Sequence, residues 1–368
     1  MLAKNRQVVM RKIPEGFPSA NDFEIITVEM PELGIGQMLL KTRWLTLDPY
    51  MRSGFMNEPN NRQSPIIGGT VSEVVESRSD RWRVGDLVVG YYGWQEYAVG
   101  SESDVQWSNP DMPNEKWDES LGPASTALGI LGMTGYTAYQ GLLNVAKVKA
   151  DETVVVSAAS GAVGQVVGQL AKIKRAQVIG IAGGPEKCAY CVDELGFDAC
   201  IDYKGSRFVN ELQQAATQGI DIYFENVGGD VLEAVIPLLN PGARVPICGF
   251  ISHYNLMPTE RRPTPLERLK SAGLPVLDKD GSREGFRFFS FSELAAQHPD
   301  AENALCEMSG WIKDGRLKYR ESITSGIESC IPAFMGMLSG KNFGKTMVRL
   351  LRRTPGPSMI SPLARHAR

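Results

Sequence analysis

The chain has 368 residues, 39 Lys and Arg against 42 Asp and Glu, a net charge of -3, and 43% hydrophobic and 22% charged residues. That length exceeds one ordinary core and implies at least two domains, and the slight acidity excludes nucleic acid or an anionic membrane as the main partner. No run is apolar enough to span a bilayer, MLAKNRQVVMRKIPEG lacks the apolar core of a signal peptide, and six sparse cysteines imply free thiols in a cytoplasmic protein.

Residues 1–125 read as β-rich. FEIITVEM alternates apolar and polar residues, QMLLKTRWLTL is strand-like, and GGTVSEVVES and GDLVVGYYGWQEYAVG are strands set off by glycines. Tyr91, Tyr92 and Trp94 in the last of these read as core. From Pro123 the character changes, and ASTALGILGMTGYTAYQGLLNVAKV predicts helix interrupted between Gly132 and Gly135. Strands and helices then alternate. TVVVS, QVIGIA, ACIDY, IDIYFEN and ARVPICGF are the strands, with helices expected near 162–174, 185–195, 206–217 and 230–239. Such alternation gives an α/β fold with a doubly wound parallel sheet, because parallel strands need crossover connections. Residues 256–284, rich in Pro and charge, read as a mobile loop. FRFFSF suggests a further strand, 301–313 and SCIPAFMGMLSG predict helices, and GKTMVRL predicts a last strand. The tail 351–368 has four arginines, no acids and three prolines, and is expected to be disordered.

The first cysteine is Cys188 and the first histidine His253. The N-terminal half therefore lacks the soft ligands from which a zinc alcohol dehydrogenase builds its metal site. Cys188-x-x-Cys191 has a tempting spacing, but it falls on an expected helix with no second pair at ligand distance. Two helical thiols is the simpler reading, and no metal is expected.

Ser157–Gly164, SAASGAVG, fits A-x-G-x-x-G between a strand and a helix. Ala159 takes the place of the usual first glycine. Gly161 lets the backbone approach a pyrophosphate, and Gly164 lets the helix pack on the strand. The helix N-terminus, with Ala162 and Val163, offers free N–H groups and a positive dipole end. In an NAD-binding unit the second strand ends in an acid that holds the adenosine ribose. Here it ends in Ala182, Gly183 and Gly184, with Lys187 a few residues on and Tyr203 and Lys204 after the third strand. Losing the acid and gaining cations favours the extra 2′-phosphate of NADP(H) over NAD(H). A solvated helix lysine is the other reading of Lys187.

With LTLDPYMR (45–52), GWQEY (93–97), LGMTGYTAYQGLL (131–143), GIDIYFENVGG (219–229), CGFISHYN (248–255) and AFMGMLSGKNFGKTMV (333–348), these motifs run in one order from about residue 7 to 350. The chain resembles the zinc-free medium-chain dehydrogenase/reductase superfamily. Within it, the likeness is to the prostaglandin and leukotriene reductase group and to bacterial NADPH-dependent curcumin reductases. The resemblance implies a Rossmann NADP-binding domain at 131–315 and a GroES-like β-barrel domain from 1–130 and a returning 316–350. It places the active site in the cleft between them, in a homodimer. Carried over, Ala159 to Gly164 hold the pyrophosphate, and Lys187 and Tyr203, with Gly183 leaving room, meet the 2′-phosphate. Thr137 lies where the nicotinamide carboxamide is held. Asn226, Cys248, Gly249, Ile251, Ser252, Phe288 and Asn342 line the cofactor. Tyr50 and Tyr254 stand beside the nicotinamide and the substrate carbonyl. Two departures concern the cleft: residues 256–284 look longer than usual, and GFRFF puts Arg287 where an apolar residue is normal.

The implied reaction is reduction of a carbon–carbon double bond conjugated to a carbonyl, by hydride transfer to the β-carbon and protonation of the resulting enolate. A tyrosine of ordinary pKa, about 10, is protonated at neutral pH and can donate to that enolate. Tyr254 is the first candidate and Tyr50 the second. Water or the ribose hydroxyl could deliver the proton instead. His253 is a weaker candidate, since neighbours in an extended segment point to opposite faces. A quinone reductase of the same superfamily and a non-catalytic NADPH sensor are the rival readings.

Overall fold

A computed structural model describes residues 4–53, 55–58, 64–106, 109–113, 115–257, 259–277, 285–289 and 301–350. The tail read as disordered, 351–368, lies outside the described residues, as does 278–284 at the end of the expected loop.

Six strands pair in parallel: β1 (Thr153–Ser157), β2 (Gln177–Ala182), β3 (Ala199–Asp202), β4 (Ile220–Phe224), β5 (Leu239–Ile247) and β6 (Gly285–Phe288). Their spatial order is β3-β2-β1-β4-β5-β6. Every residue of β1 is buried, as a strand covered on both faces requires. Alternate side chains divide between two cores. Val154 and Val156 pack with Val166 and Leu170 of the helix Gly164–Ile173. Val155 packs on the opposite side with Leu212 of the helix Phe208–Ala215 and Leu232 of the helix Gly229–Val235. The sheet is thus wound in both directions from β1, toward β3 on one side and β6 on the other. Ligands of such sheets bind outside the carboxyl ends of the strands where the order reverses.

The N-terminal part is antiparallel. Gln37–Thr46 is its central strand and pairs with Thr70–Ser77, with Tyr97–Ser101 and, from the far end of the chain, with Lys345–Arg349. Register shifts at Leu39/Leu40 and Thr42/Trp44 mark bulges that bend this strand. Its core joins Val8, Leu45, Met51 and Trp94 to Phe334 and Val348, and the Trp94 and Phe334 rings meet edge to face at 5.4 Å. Residues 327–350 therefore share a core with the first hundred. Trp94 is fully buried and Tyr92 packs on Met38, Leu40 and Val88, in keeping with a core role.

Some local expectations need correcting. Met133–Tyr139 is a continuous helix with Gly135 inside it, because a β-carbon there would lie 1.7 Å from the Ile130 carbonyl oxygen. It continues as a π-helical turn, Gln140–Val145, and the helix Pro185–Ala189 likewise continues as Tyr190–Glu194. Within 256–284, Pro265–Ser271 is helical rather than loop. Thr264 accepts from the Glu267 N–H, and the Glu267 carboxylate accepts from the Thr264 N–H at 2.8 Å. TPLE is a capping box with Pro at the first helical position, a signal obscured by the surrounding prolines and charges.

Candidate active site

A cavity of about 1040 Å³ opens at the carboxyl ends of β1, β2, β4 and β5, where the strand order reverses. Its other wall comes from Asp48, Tyr50 and Ser53 and from the returning residues Gly340, Asn342, Gly344 and Thr346.

At one end lies the glycine turn. Gly161, Ala162, Val163 and Gly164 line the cavity. Among the described residues, the N–H groups of Val163 and Gly164 have no intramolecular acceptor, while Gly161 is bridged in parallel to Gly344, so the start of a ten-residue helix presents open donors and its positive dipole end to the cavity. A β-carbon on Gly164 would lie 2.3 Å from the Ala158 carbonyl oxygen, so the turn and helix close only with glycine there. Ala159 departs from expectation. It is fully buried, and its N–H donates to the Ile181 carbonyl at 3.0 Å, which leaves that group unavailable to a ligand. Ala158, with φ +50°, and Ser160 line the cavity in its place. These features fit a dinucleotide pyrophosphate.

Beside the end of β2, Gly183, Lys187 and Tyr203 share the same cavity. Lys187 donates to the Gly340 carbonyl at 2.8 Å and has no carboxylate at ion-pair distance among the described residues. Burial, and then Lys204, hold its pKa below the ordinary lysine value. The acid that the second strand lacks is supplied in part by Asp202 on β3, but its carboxylate is engaged by the Gly184 and Lys204 N–H groups at 2.8 and 3.0 Å. Lys204 lies 5.9 Å from the Tyr203 ring centroid and is not part of the lining. A phosphate here therefore meets a cation that, among the described residues, is satisfied only by a neutral carbonyl.

The floor is the turn after β4. Glu225 is fully buried, and one of its carboxylate oxygens accepts from Ser157, Tyr223 and the N–H groups of Val227 and Gly228. Burial raises its pKa. Asn226 donates its side-chain amide to the Ser157 carbonyl at 2.8 Å, which fixes the turn to the end of β1. FENVGG carried that buried acid in plain view, although only Asn226 was expected at the site.

The other end is apolar and holds two phenols. Thr137, Cys248, Gly249, Ile251, Ser252, Phe288, Tyr50 and Tyr254 all line it. The Thr137 hydroxyl donates to the Met133 carbonyl within its own helix at 2.7 Å, and Ser252 donates to the Val227 carbonyl. Burial pushes the Cys248 thiol up to about 12. Burial likewise pushes the Tyr254 hydroxyl up to about 12, and it accepts a long bond of 3.4 Å from the Phe250 N–H. Burial, the Tyr91 hydroxyl bonded to it, and Asp48 raise Tyr50 well above the usual phenol value. Both phenols are thus held as proton-bearing donors. His253 does not line this cavity. The reason differs from the one expected, since Ile251–His253 is a 3-10 turn and not an extended segment. Phe288 and Phe289 line the cavity, whereas Arg287, buried in β6, does not.

Sequence reading passed over a pair that joins the two ends of the chain. Lys345 and Asp48 form an ion pair with both side chains buried, and Asp48 also accepts from Thr46 at 2.7 Å. This pair anchors the turn that carries Tyr50 to the strand that follows Gly344, whose N–H donates to the Ser160 carbonyl of the glycine turn at 3.0 Å. Lys345→Met leaves a buried carboxylate without its cation and is expected to lower stability by about 3–5 kcal/mol, read from the urea midpoint. A loss below about 1 kcal/mol would show that water replaces the ammonium.

All six cysteines are free thiols, and among the described residues no group of three or more His, Cys, Asp or Glu is placed to hold a metal ion. Residues 6–107 match the family described as the N-terminal domain of oxidoreductase, and residues 162–278 match that described as zinc-binding dehydrogenase. An NADPH-dependent curcumin reductase of Escherichia coli (strain K12) is 42% identical over 357 residues, 94% of this chain and 97% of the relative. A 2-alkenal reductase (NADP(+)-dependent) of Nicotiana tabacum is 37% identical over 359 residues, 95% and 98% of the two chains. The crystal structure of CurA in complex with NADPH from Vibrio vulnificus is similar with a TM-score of 0.82 at 39% identity, covering 95% of this chain and 100% of that one.

Proposed function

The chain belongs to the medium-chain dehydrogenase/reductase superfamily, and on that footing we propose that it is an NADPH-dependent reductase of carbon–carbon double bonds conjugated to a carbonyl. One observation carries the reading. A single cavity has open backbone donors and Lys187 at one end and two protonated phenols, Tyr50 and Tyr254, at the other. The similarity to relatives named as curcumin and 2-alkenal reductases supports the substrate class.

NADP(H) would be held by the N–H groups of Val163 and Gly164 at its pyrophosphate and by Lys187 and Tyr203 at its 2′-phosphate. When bound, it supplies the hydride. The protein aligns an enone between Tyr50, Tyr254 and Phe288, so that the reacting carbons meet without a search through orientations. As negative charge moves onto the substrate carbonyl oxygen, Tyr254 donates a hydrogen bond that strengthens with that charge. Tyr50 holds the same oxygen from the other wall, its own position set by Asp48 and Tyr91. The α-carbon then takes a proton from Tyr254 or from water relayed by it. Cys248 keeps its proton in this setting, so it does not compete as a nucleophile for the electrophilic β-carbon.

The same reading assigns 1–130 and 316–350 to the catalytic domain and 131–315 to the cofactor domain. It takes the enzyme to act without zinc, as a cytoplasmic homodimer. Six free thiols suit a reducing compartment, and light scattering of the purified protein tests the dimer. The activity test follows NADPH and NADH absorbance against 2-alkenals, alkenones, curcumin and quinones. Oxidation of NADPH by enones is the expected result. Turnover with quinones alone would move the protein to the quinone reductases, and silence with every acceptor would leave a sensor.

A further inference from the structure

The helix Gly164–Ile173 starts at the glycine turn, so whatever holds this helix also places the phosphate end of the cavity. Much of it is apolar, and Val166, Val167, Leu170 and Ala171 pack in the core. Two positions break that pattern. Gln165 and Gln169 are polar yet almost fully buried, at 1% and 4% exposure.

Both side chains are spent on the backbone of one distant segment. The Gln169 amide donates to the Lys318 carbonyl at 2.8 Å, and its oxygen accepts from the Lys318 N–H at 2.7 Å. The Gln165 oxygen accepts from the Arg320 N–H at 3.0 Å, and its nitrogen donates to the Arg320 carbonyl at 3.3 Å. Residues four apart on a helix are spaced by about 6 Å on one face, close to the roughly 6.6 Å between alternate residues of a strand. The glutamines thus meet Lys318 and Arg320 as a neighbouring strand would, each completing one N–H and one carbonyl. A glutamine amide suits this because it carries both a donor and an acceptor.

These two rungs join the halves of the site. Lys318 and Arg320 lead into the strand Glu321–Ser325, which pairs in parallel with Lys345–Arg349. Lys345 holds Asp48 in the turn that carries Tyr50, and its N–H donates to the Arg320 carbonyl at 2.9 Å. That one carbonyl therefore takes a bond from the phosphate-side helix and a bond from the residue that anchors the Tyr50 turn. Apolar contact is non-directional and lets surfaces slide. Four hydrogen bonds at two levels admit one register.

We propose that Gln165 and Gln169 are positioning residues for hydride transfer, setting the register between the helix that holds the cofactor phosphates and the wall that holds Tyr50. The proposal rests on the cavity being the NADPH and enone site. On that reading the cofactor spans the cavity from the helix to the phenols. A slip of the helix along Lys318 and Arg320 then moves the nicotinamide against the enone, and a displacement of about 1 Å can cost about 10²-fold in rate.

The test is Gln169→Met, which keeps the length of the side chain and removes one rung. With the Gln165 rung retained, the single-turnover rate of hydride transfer to an alkenone should fall by about tenfold. The affinity for NADPH should stay within about twofold, because Val163, Gly164, Lys187 and Tyr203 are untouched. A lower urea midpoint with an unchanged transfer rate would make the rungs merely structural and overturn the proposal. So would a loss of NADPH affinity without a loss of rate. Should Gln169→Met not fold, Gln165→Met carries the same expectation through the other rung. Failure of the wild type to turn over any enone strikes the activity reading instead. The nicotinamide emission of bound NADPH then decides the register: a changed emission in the variant at equal affinity supports it, and identical emission would sink it.

Discussion

Tyr254→Phe is expected to lower kcat for enone reduction by about 10²–10³-fold, the effect of removing one donor aimed at a developing oxyanion, while the KM for NADPH stays within about twofold. The hydroxyl is the only atom lost, the ring that packs on Phe250 at 5.6 Å remains, and the residues expected to hold the pyrophosphate and 2′-phosphate lie at the other end of the cavity. The pH profile adds a second signature. Burial holds the Tyr254 proton up to about 12, so the wild-type kcat should be flat from pH 6 to 9.5 and begin to fall only as pH rises toward that value. A fall centred near 10 would mean the phenol is more exposed than its surroundings imply. A Tyr254→Phe variant with kcat within about twofold of wild type would assign the donor to Tyr50. In that case Tyr50→Phe must carry the loss.

The second large effect concerns the cofactor. Lys187→Ala should raise the KM for NADPH by about 10- to 100-fold and leave that for NADH within about twofold, the range of one charge-assisted hydrogen bond to phosphate. The reason is specific to the surroundings of Lys187. Its ammonium is half-buried and, among the described residues, bonded only to the neutral Gly340 carbonyl, so an incoming dianion improves its environment with no described carboxylate to displace. Lys204, engaged over the Tyr203 ring, should matter far less, and Lys204→Ala is expected to raise the KM by less than about threefold. Comparable losses from the two substitutions would show that a general positive field, and not Lys187, selects NADPH.

How much of this was legible in the sequence varies with the range of each interaction. The doubly wound sheet and its glycine turn are local patterns, a five-residue apolar strand, glycines at fixed spacing and a following helix, and the chain displays them openly. That Gly183, Lys187 and Tyr203 come together was readable for the same reason, since all three follow the ends of adjacent strands. Ala159 was misassigned because a motif specifies positions and does not say which amides the neighbouring strand already engages. The Asp48–Lys345 pair spans nearly the whole chain, and no local signal announces it. The helix Pro265–Ser271 was present as T-P-L-E but outweighed by composition. His253 was kept from the main cavity by a 3-10 turn, whose geometry an extended-strand argument does not contain.

The central claim is that hydride goes to the β-carbon of a conjugated double bond while the carbonyl is retained. The most direct measurement incubates the enzyme with a simple alkenone and NADPH deuterated at the transferring position of C4, and locates the label in the product by NMR. The account predicts a saturated ketone with deuterium on the β-carbon and a solvent-derived proton on the α-carbon. Deuterium on the carbonyl carbon of an allylic alcohol would contradict it, and would make the cavity that of a carbonyl reductase.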